Sequence, residues 1–323
     1  MPLPLIPLVL GGASLLAGGY GVKKGLEAKE DFEKAKSIGE NALDRHKKAV
    51  SDLEKKRKNT NIYFIRLGKL KANIFSKNIK FLVDEIRKRK DSSSKIKGYQ
   101  ESIEELNLPN LEKMVLNSLE LESGLLSGAA SGALAGLGAY GSVGLLATAS
   151  TGTAIASLSG AAATNATLAW LGGGSLAAGG LGMAGGTAVL GGFVAGPAIA
   201  ITGLMMASKA EEALTKARDY ESEVDQAIEK INSMEIVLKG LQANALEMSM
   251  TLTKLAKYFD ECKSDVESNE QGAFERLLKC GSALKSVLDT PIMEKNGEGV
   301  RNLDGKLKSI VTTSSAGLLK YED

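Results

Sequence analysis

Two glycine-rich stretches match the spacing of the dinucleotide-binding fingerprint, in which glycines let a backbone approach a pyrophosphate. They begin at Gly136 and at Gly180. Neither follows a predicted strand, and no acidic residue stands about 20 positions after the first match, where a ribose would be held. The stretch Gly172 to Ser175 also lacks the lysine of a phosphate-binding loop. The sequence therefore predicts no nucleotide and no other cofactor.

The other reactive side chains are few and scattered. His46 is the only histidine and falls close to the apolar seam of a helical pattern, which argues against a Ser/His/Asp triad and against a metal site. Cys262 and Cys280 are too few for a disulfide framework and fit structural thiols in a reducing compartment. The carboxylates lie on charged helix faces at spacings suited to ion pairs with lysine. We expect no catalytic residue and no enzymatic activity.

Charge is distributed unevenly along the chain. The net charge is only +2, and no basic face is present that would bind a phosphate backbone, so we expect no nucleic-acid partner. The stretch from Ser123 to Ser208 contains no Asp, Glu, Lys, Arg or His, and it holds more than half of the 37 glycines. We call residues 123–208 the uncharged segment. Its composition predicts helices that pack tightly or face lipid.

Glycines recur at every fourth residue at the start of the uncharged segment: Gly124, Gly128, Gly132 and Gly136. On a helix they form one smooth stripe, and small residues at this spacing let two helices approach closely in lipid. Glycine costs about 1 kcal/mol relative to alanine inside a helix, so the stripe needs a packing reason. We predict that these glycines form a membrane or oligomer interface.

The second half of the uncharged segment repeats this composition, and the predicted interface continues there through Trp170, Gly182, Gly186 and Phe193. A stretch rich in Ser, Thr and Ala separates the halves, which predicts a helical hairpin with at least one span of about 20 residues on each side. Its hydropathy is modest, because Gly, Ala, Ser and Thr outnumber the large apolar residues. Such a hairpin can be buried first and enter a bilayer later, or it can be embedded permanently.

The helical flanks must position the uncharged segment. The clearest helical periodicity lies in the flank that follows it. Apolar residues occupy heptad a and d positions over about seven heptads, which predicts a coiled coil. The seam residues include Val224, Ile231, Met234, Leu238, Leu241, Leu252 and Leu255. We place this coiled-coil arm at residues 209–265.

The remaining chain divides into three parts. Residues 1–22 are uncharged and form either a membrane anchor or a buried segment. Residues 23–122 form a first helical arm, with a break or kink predicted at Arg57 to Asn61, and with two short helices separated at Pro109 near its end. Residues 266–323 form a C-terminal helical tail with a break at Pro291.

The order of helical arm, uncharged Gly/Ala hairpin and helical arm resembles the helical pore-forming toxins of the cytolysin type. It is also similar to apolipoprotein L, which carries a glycine-rich insertion region. The runs 168–186 and 207–213 resemble an uncharacterised bacterial family of glycine-zipper coiled-coil proteins. This resemblance covers most of the chain. The toxin resemblance rests on architecture, so it implies membrane activity and assigns no functional residue.

We therefore expect an all-α fold in which long antiparallel coiled-coil arms flank an uncharged Gly/Ala-rich hairpin. The expected function is insertion into a membrane with oligomerisation through the glycines, as a pore-former or the membrane-damaging part of a bacterial toxin or defence system. The alternatives are a membrane-anchored coiled-coil scaffold and a structural protein with the segment packed inside. The expected partners are a lipid bilayer, further copies of the chain and a helical protein. The expected location is the cytoplasm or inner membrane, with secretion without a signal peptide left open.

Overall fold

The chain forms an all-α fold, as the sequence predicts. The structure, a computed structural model, describes residues 20–89, 106–125, 131–141, 210–294 and 298–314. Seven α-helices lie in this part of the chain: α1 Tyr20–Ile74, α2 Lys80–Arg89, α3 Leu108–Leu125, α4 Ser131–Tyr140, α5 Ala210–Glu267, α6 Ala273–Asp289 and α7 Leu303–Ser314. A π-helical turn, Phe75–Ile79, joins α1 to α2. These residues contain no strand, only one antiparallel bridge between Met293 and Gly299.

The chain divides into two compact units, and the long helices α1 and α5 contribute to both. The first unit comprises residues 1–49 and 195–229, and the second comprises residues 50–194 and 230–323. The candidate functional site belongs to the second unit.

In the first unit, α1 packs on α5 through two alanines that stand seven residues apart. Ala35 packs against Ala213 and Ala217, and Ala42 packs against Tyr220 and Val224. Contact positions therefore increase together along both helices, so α1 and α5 run parallel here. Arg45 stabilises this register from the edge, because its guanidinium contacts Asp225 at 2.6 Å and Glu221 at 3.2 Å.

In the second unit the same direction holds. Lys56 forms an ion pair with Glu235, and Gln242 donates a hydrogen bond to the Thr60 hydroxyl at 2.8 Å. Farther along, Asn78 donates to Asp260 at 2.8 Å. The prediction of antiparallel arms is thus wrong within each unit. A heptad seam serves a parallel or an antiparallel partner equally well, and more than a hundred residues separate α2 from α5, enough chain to return to either end.

The predicted seam of α5 lies inside the packing. Val224, Ile231, Leu238, Leu241, Leu252 and Leu255 are buried, and Met234 is half-buried. His46, which the sequence places close to the apolar seam of the first arm, is also buried. Burial at all but one of these seven positions agrees with the predicted pattern, while supercoiling of the arms stays a prediction.

The predicted irregularity at Arg57 to Asn61 is not a break, because α1 is continuous from Tyr20 to Ile74. The polar run is accommodated at Thr60, which is buried and whose hydroxyl donates to the Lys56 carbonyl at 2.9 Å. The irregularity instead lies at the π-helical turn Phe75–Ile79, which the sequence did not reveal.

Pro109 does not separate two helices either. The turn lies at Asn107, which has φ 50° and accepts hydrogen bonds from the amides of Asn110 and Leu111. Pro109 lies in the first turn of α3, where a missing N–H leaves no carbonyl unpaired. The first of the two predicted short helices lies almost wholly outside the described residues.

The C-terminal tail is helical and breaks at Pro291 as predicted, between α6 and α7. α6 packs closely on α2, since a Cβ placed on Gly281 would lie 2.4 Å from a methyl carbon of Leu82. Cys262 and Cys280 are buried free thiols. Between α6 and α7, Asn244 of α5 donates to the carbonyls of Ile292 and Val300 at 3.2 and 3.1 Å.

Candidate functional site: the docking site of the uncharged segment

Helix α4 is the main portion of the uncharged segment that the structure describes. Ala133, Leu134, Leu137, Ala139 and Tyr140 are all buried. A helix that is apolar on every side must be covered by protein or by lipid. In this structure it is covered by protein, and α1 provides part of that cover.

Glycines bring the backbones of α1 and α4 into direct contact. A Cβ on Gly68 of α1 would lie 1.9 Å from the carbonyl oxygen of Leu134. Reciprocally, a Cβ on Gly138 of α4 would lie 2.1 Å from the carbonyl oxygen of Phe64. Real side chains cannot approach a backbone oxygen so closely. The contact therefore requires glycine on both helices, which is the packing mode that small residues also permit between helices in lipid.

The C-terminal end of α4 is fastened by backbone hydrogen bonds. The amides of Ile292 and Met293 donate to the Ala139 carbonyl at 3.0 and 3.3 Å. The helix ends at Gly141, whose φ of 67° suits glycine and whose N–H donates to the Leu137 carbonyl at 3.0 Å. No charged side chain of α4 takes part, because α4 has none.

A buried lysine lies beside this end of α4. Lys71 of α1 is fully buried, and its ammonium nitrogen donates to the carbonyls of Leu288 and Thr290, both at 3.3 Å. These carbonyls terminate α6, where the helix dipole favours a positive charge. Burial nevertheless lowers the pKa of Lys71 to about 7, and the nearby carboxylate of Asp289 only partly opposes this effect.

Gly141 connects the lysine site to α4. A Cβ on Gly141 would lie 2.7 Å from the Leu288 carbonyl oxygen and 2.6 Å from that of Asp289. Leu288, which accepts a hydrogen bond from Lys71, therefore also lies against the end of α4. We call Phe64, Gly68 and Lys71 of α1, together with 288–293, the docking site of α4.

The structure describes only some of the residues that were predicted to form the membrane or oligomer interface. Gly124 lies in α3, and Gly132 and Gly136 lie in α4. Gly128, Trp170, Gly182, Gly186 and Phe193 lie outside the described residues. No described atom would come within 4 Å of a Cβ on Gly136, so the contact with α1 is made by Gly138, two positions along. The role of the four-residue stripe in an oligomer stays a prediction.

Sequence reasoning missed Gly68, Gly138 and Lys71 as site residues. Two signals could have identified them. Gly68 interrupts a rich apolar helix, where glycine is costly without a packing reason. Lys71 stands four residues after Leu67 and three before Ile74, so helical spacing places it on the apolar face of α1.

Other kinds of site were sought among the same residues. No group of three or more His, Cys, Asp or Glu side chains there could hold a metal ion. None of the described helices combines the length and apolar character needed to cross a bilayer. Comparisons with protein families, curated proteins and solved structures find no match to this chain.

Proposed function

We propose that this chain is a membrane-inserting helical protein that stores part of its uncharged segment on its arms and later transfers that segment to a bilayer. In the bilayer, copies associate through the glycines of the segment. The activity is pore formation or membrane damage, of the kind used in bacterial toxin and defence systems.

The observation that carries this proposal is the manner in which α4 is docked. An uncharged helix is buried by glycine contacts and backbone hydrogen bonds, with no ion pair of its own. Moving α4 into lipid would therefore strand no charge of α4 in an apolar medium. A second uncharged helix can also replace α1 against Gly138, because both contacts depend only on close backbone approach.

The arms supply the other half of the mechanism. Charged, exposed residues cover α1 and α5, and their seams are buried. This distribution keeps the arms in water while the uncharged segment changes its surroundings. The resemblance to cytolysin-type toxins, although architectural, supports the same division of labour.

One structural feature favours a second candidate function. The fit between Gly68 and Gly138 is close enough to hold α4 on α1 permanently, which would make the protein a structural helical assembly. A membrane-anchored scaffold is a third possibility that the uncharged segment allows.

Leakage from dye-filled vesicles separates these functions. The full chain is mixed with vesicles of phosphatidylethanolamine and phosphatidylglycerol, and binding is measured by flotation alongside dye release. A membrane-inserting pore-former binds and releases dye in proportion to bound protein. Binding without release supports the scaffold, and the absence of both supports the structural assembly and contradicts our proposal.

A further inference from the structure

A row of exposed apolar residues lies on α5. Ile236, Leu246 and Met250 are 71%, 50% and 56% exposed, respectively. Gly240 and Ala243 are exposed between them. At about 100° per residue, these positions fall within one third of the helix circumference. We call these five residues the outer face of α5.

The outer face is separate from the packed seam. Leu238, Leu241 and Leu252 are buried against the rest of the second unit, on the opposite side of α5. No described atom lies within 4 Å of a Cβ built on Gly240. Three large apolar side chains in one exposed row are uncommon on a charged helix that binds nothing. The outer face is therefore available to a partner.

The arrangement of the outer face is symmetric about Ala243. Ile236 stands seven residues before Ala243 and Met250 seven after it, while Gly240 stands three before and Leu246 three after. In an antiparallel pair of α5 helices with a two-fold axis at Ala243, Ile236 of one copy is level with Met250 of the other. Gly240 is level with Leu246, so a small residue leaves room for a large one.

The charges follow the same symmetry. Lys239 stands four residues before Ala243 and Glu247 four residues after it. In the antiparallel pair, each lysine is thus level with the glutamate of the other copy. Within the part of the chain that the structure describes, neither side chain forms an ion pair. Both are available to a second copy.

We infer that the outer face of α5 is a self-association surface, on which two copies of this chain pair antiparallel about a two-fold axis at Ala243. Self-complementarity in both size and charge identifies the occupant, because an unrelated partner would not require symmetry about a single residue. The apolar row extends over about 21 Å of helix, so the interface is small and the dimer is weak and concentration-dependent. This dimer forms without lipid and is independent of the proposed membrane function.

Disulfide crosslinking at the axis tests the geometry in the full chain without lipid. The substitution Ala243→Cys places two thiols next to each other across the axis, whereas Cys262 and Cys280 are buried and stay unreacted. Mild oxidation with oxidised glutathione should yield a covalent dimer. The control Lys113→Cys is on the exposed side of α3 and should yield little. Equal crosslinking of the two variants would overturn the inference.

A charge-reversal cycle tests the pairing itself. Lys239→Glu and Glu247→Lys each place like charges level with each other, and each should weaken the dimer roughly tenfold or more by sedimentation velocity. The double variant restores opposite charges and should regain dimerisation. Lys113→Glu serves as the control, and circular dichroism verifies equal helicity. A double variant as weak as the single variants, or single variants that dimerise normally, would contradict this pairing.

Discussion

Lys71 lies in an environment that opposes the positive charge of a lysine. It is buried at the end of α6, and burial lowers its pKa to about 7. A lysine whose folded-state pKa lies below its unfolded value of 10.5 releases its proton more readily when folded. Stability must therefore rise with pH between about 7 and 10.5, and Lys71 contributes no further change below this range.

The first prediction concerns this pH window. The free energy of unfolding of the wild type should rise by a few kcal/mol from pH 7 to pH 10, relative to the variant Lys71→Met, which has no titrating amine. Urea titrations at fixed pH values measure the difference. Lys69→Met, an exposed lysine on the same helix, is the control and should follow the wild type. Parallel curves for wild type and Lys71→Met would show that Lys71 is charged and solvated in the folded protein.

The second prediction compares two glycines of α4. Gly138→Ala forces a methyl group against the Phe64 carbonyl and should cost about 1–3 kcal/mol of stability in the absence of lipid. Gly136→Ala meets no described atom and should gain up to about 1 kcal/mol through helix propensity. Thermal unfolding measures both effects.

The two variants also bear on function. If α4 leaves its docking site for the membrane, Gly138→Ala should release dye from vesicles faster than the wild type, because its α4 is held less tightly on α1. Gly136→Ala should be equal to the wild type or slower. Slower release by Gly138→Ala at equal bound protein would contradict storage of α4 on α1.

At the level of the elements, the parallel direction of α1 and α5 is the main departure from expectation. The burial of the α5 seam could be predicted, because a seven-residue repeat is a local property of one helix. The direction of the partner helix α1 could not be predicted, since that direction depends on the path of the long connection between the two helices. The same reason explains Gly68 and Gly138. Each is visible in the sequence, but only the packing of α1 against α4 shows that each lies against the backbone of the other helix.

A polar run within α1 illustrates a second limit of prediction from the sequence. The run from Arg57 to Asn61 is polar enough to predict a break or kink, yet α1 continues through it. The Thr60 hydroxyl donates to the Lys56 carbonyl and accepts a hydrogen bond from Gln242. One hydrogen bond within α1 and one from α5 thus satisfy a polar side chain in a helix that local composition disfavours. The C-terminal tail was predictable because Pro291 and the apolar spacing of α6 act locally.

The third prediction tests the parallel register in the second unit. Lys56 and Glu235 form a partly buried ion pair between α1 and α5. Lys56→Glu or Glu235→Lys should each cost about 1 kcal/mol, and the double variant should recover most of that loss. Combining Glu235→Lys with Lys58→Glu, an exposed neighbour, should give no recovery. Additive losses in the 56/235 double variant would show that these side chains do not meet.

For the whole molecule, the central claim is that a chain with charged arms transfers an uncharged segment into a bilayer. Stability and transfer are coupled in this account, because interactions that hold α4 on α1 oppose its insertion. Conditions that weaken the docking site should therefore favour membrane binding, and conditions that strengthen it should oppose binding.

The most direct test places an environment-sensitive dye within the uncharged segment, at Ser157→Cys, and a second dye on α3, at Lys113→Cys. Cys262 and Cys280 are buried, so labelling is selective for the introduced thiol. On addition of vesicles, the account predicts blue-shifted emission and quenching by lipid-borne quenchers at Ser157→Cys but not at Lys113→Cys. The contradicting result is a protein that floats with the vesicles while the dye at Ser157→Cys shows the same emission as without vesicles. The segment would then not be inserted.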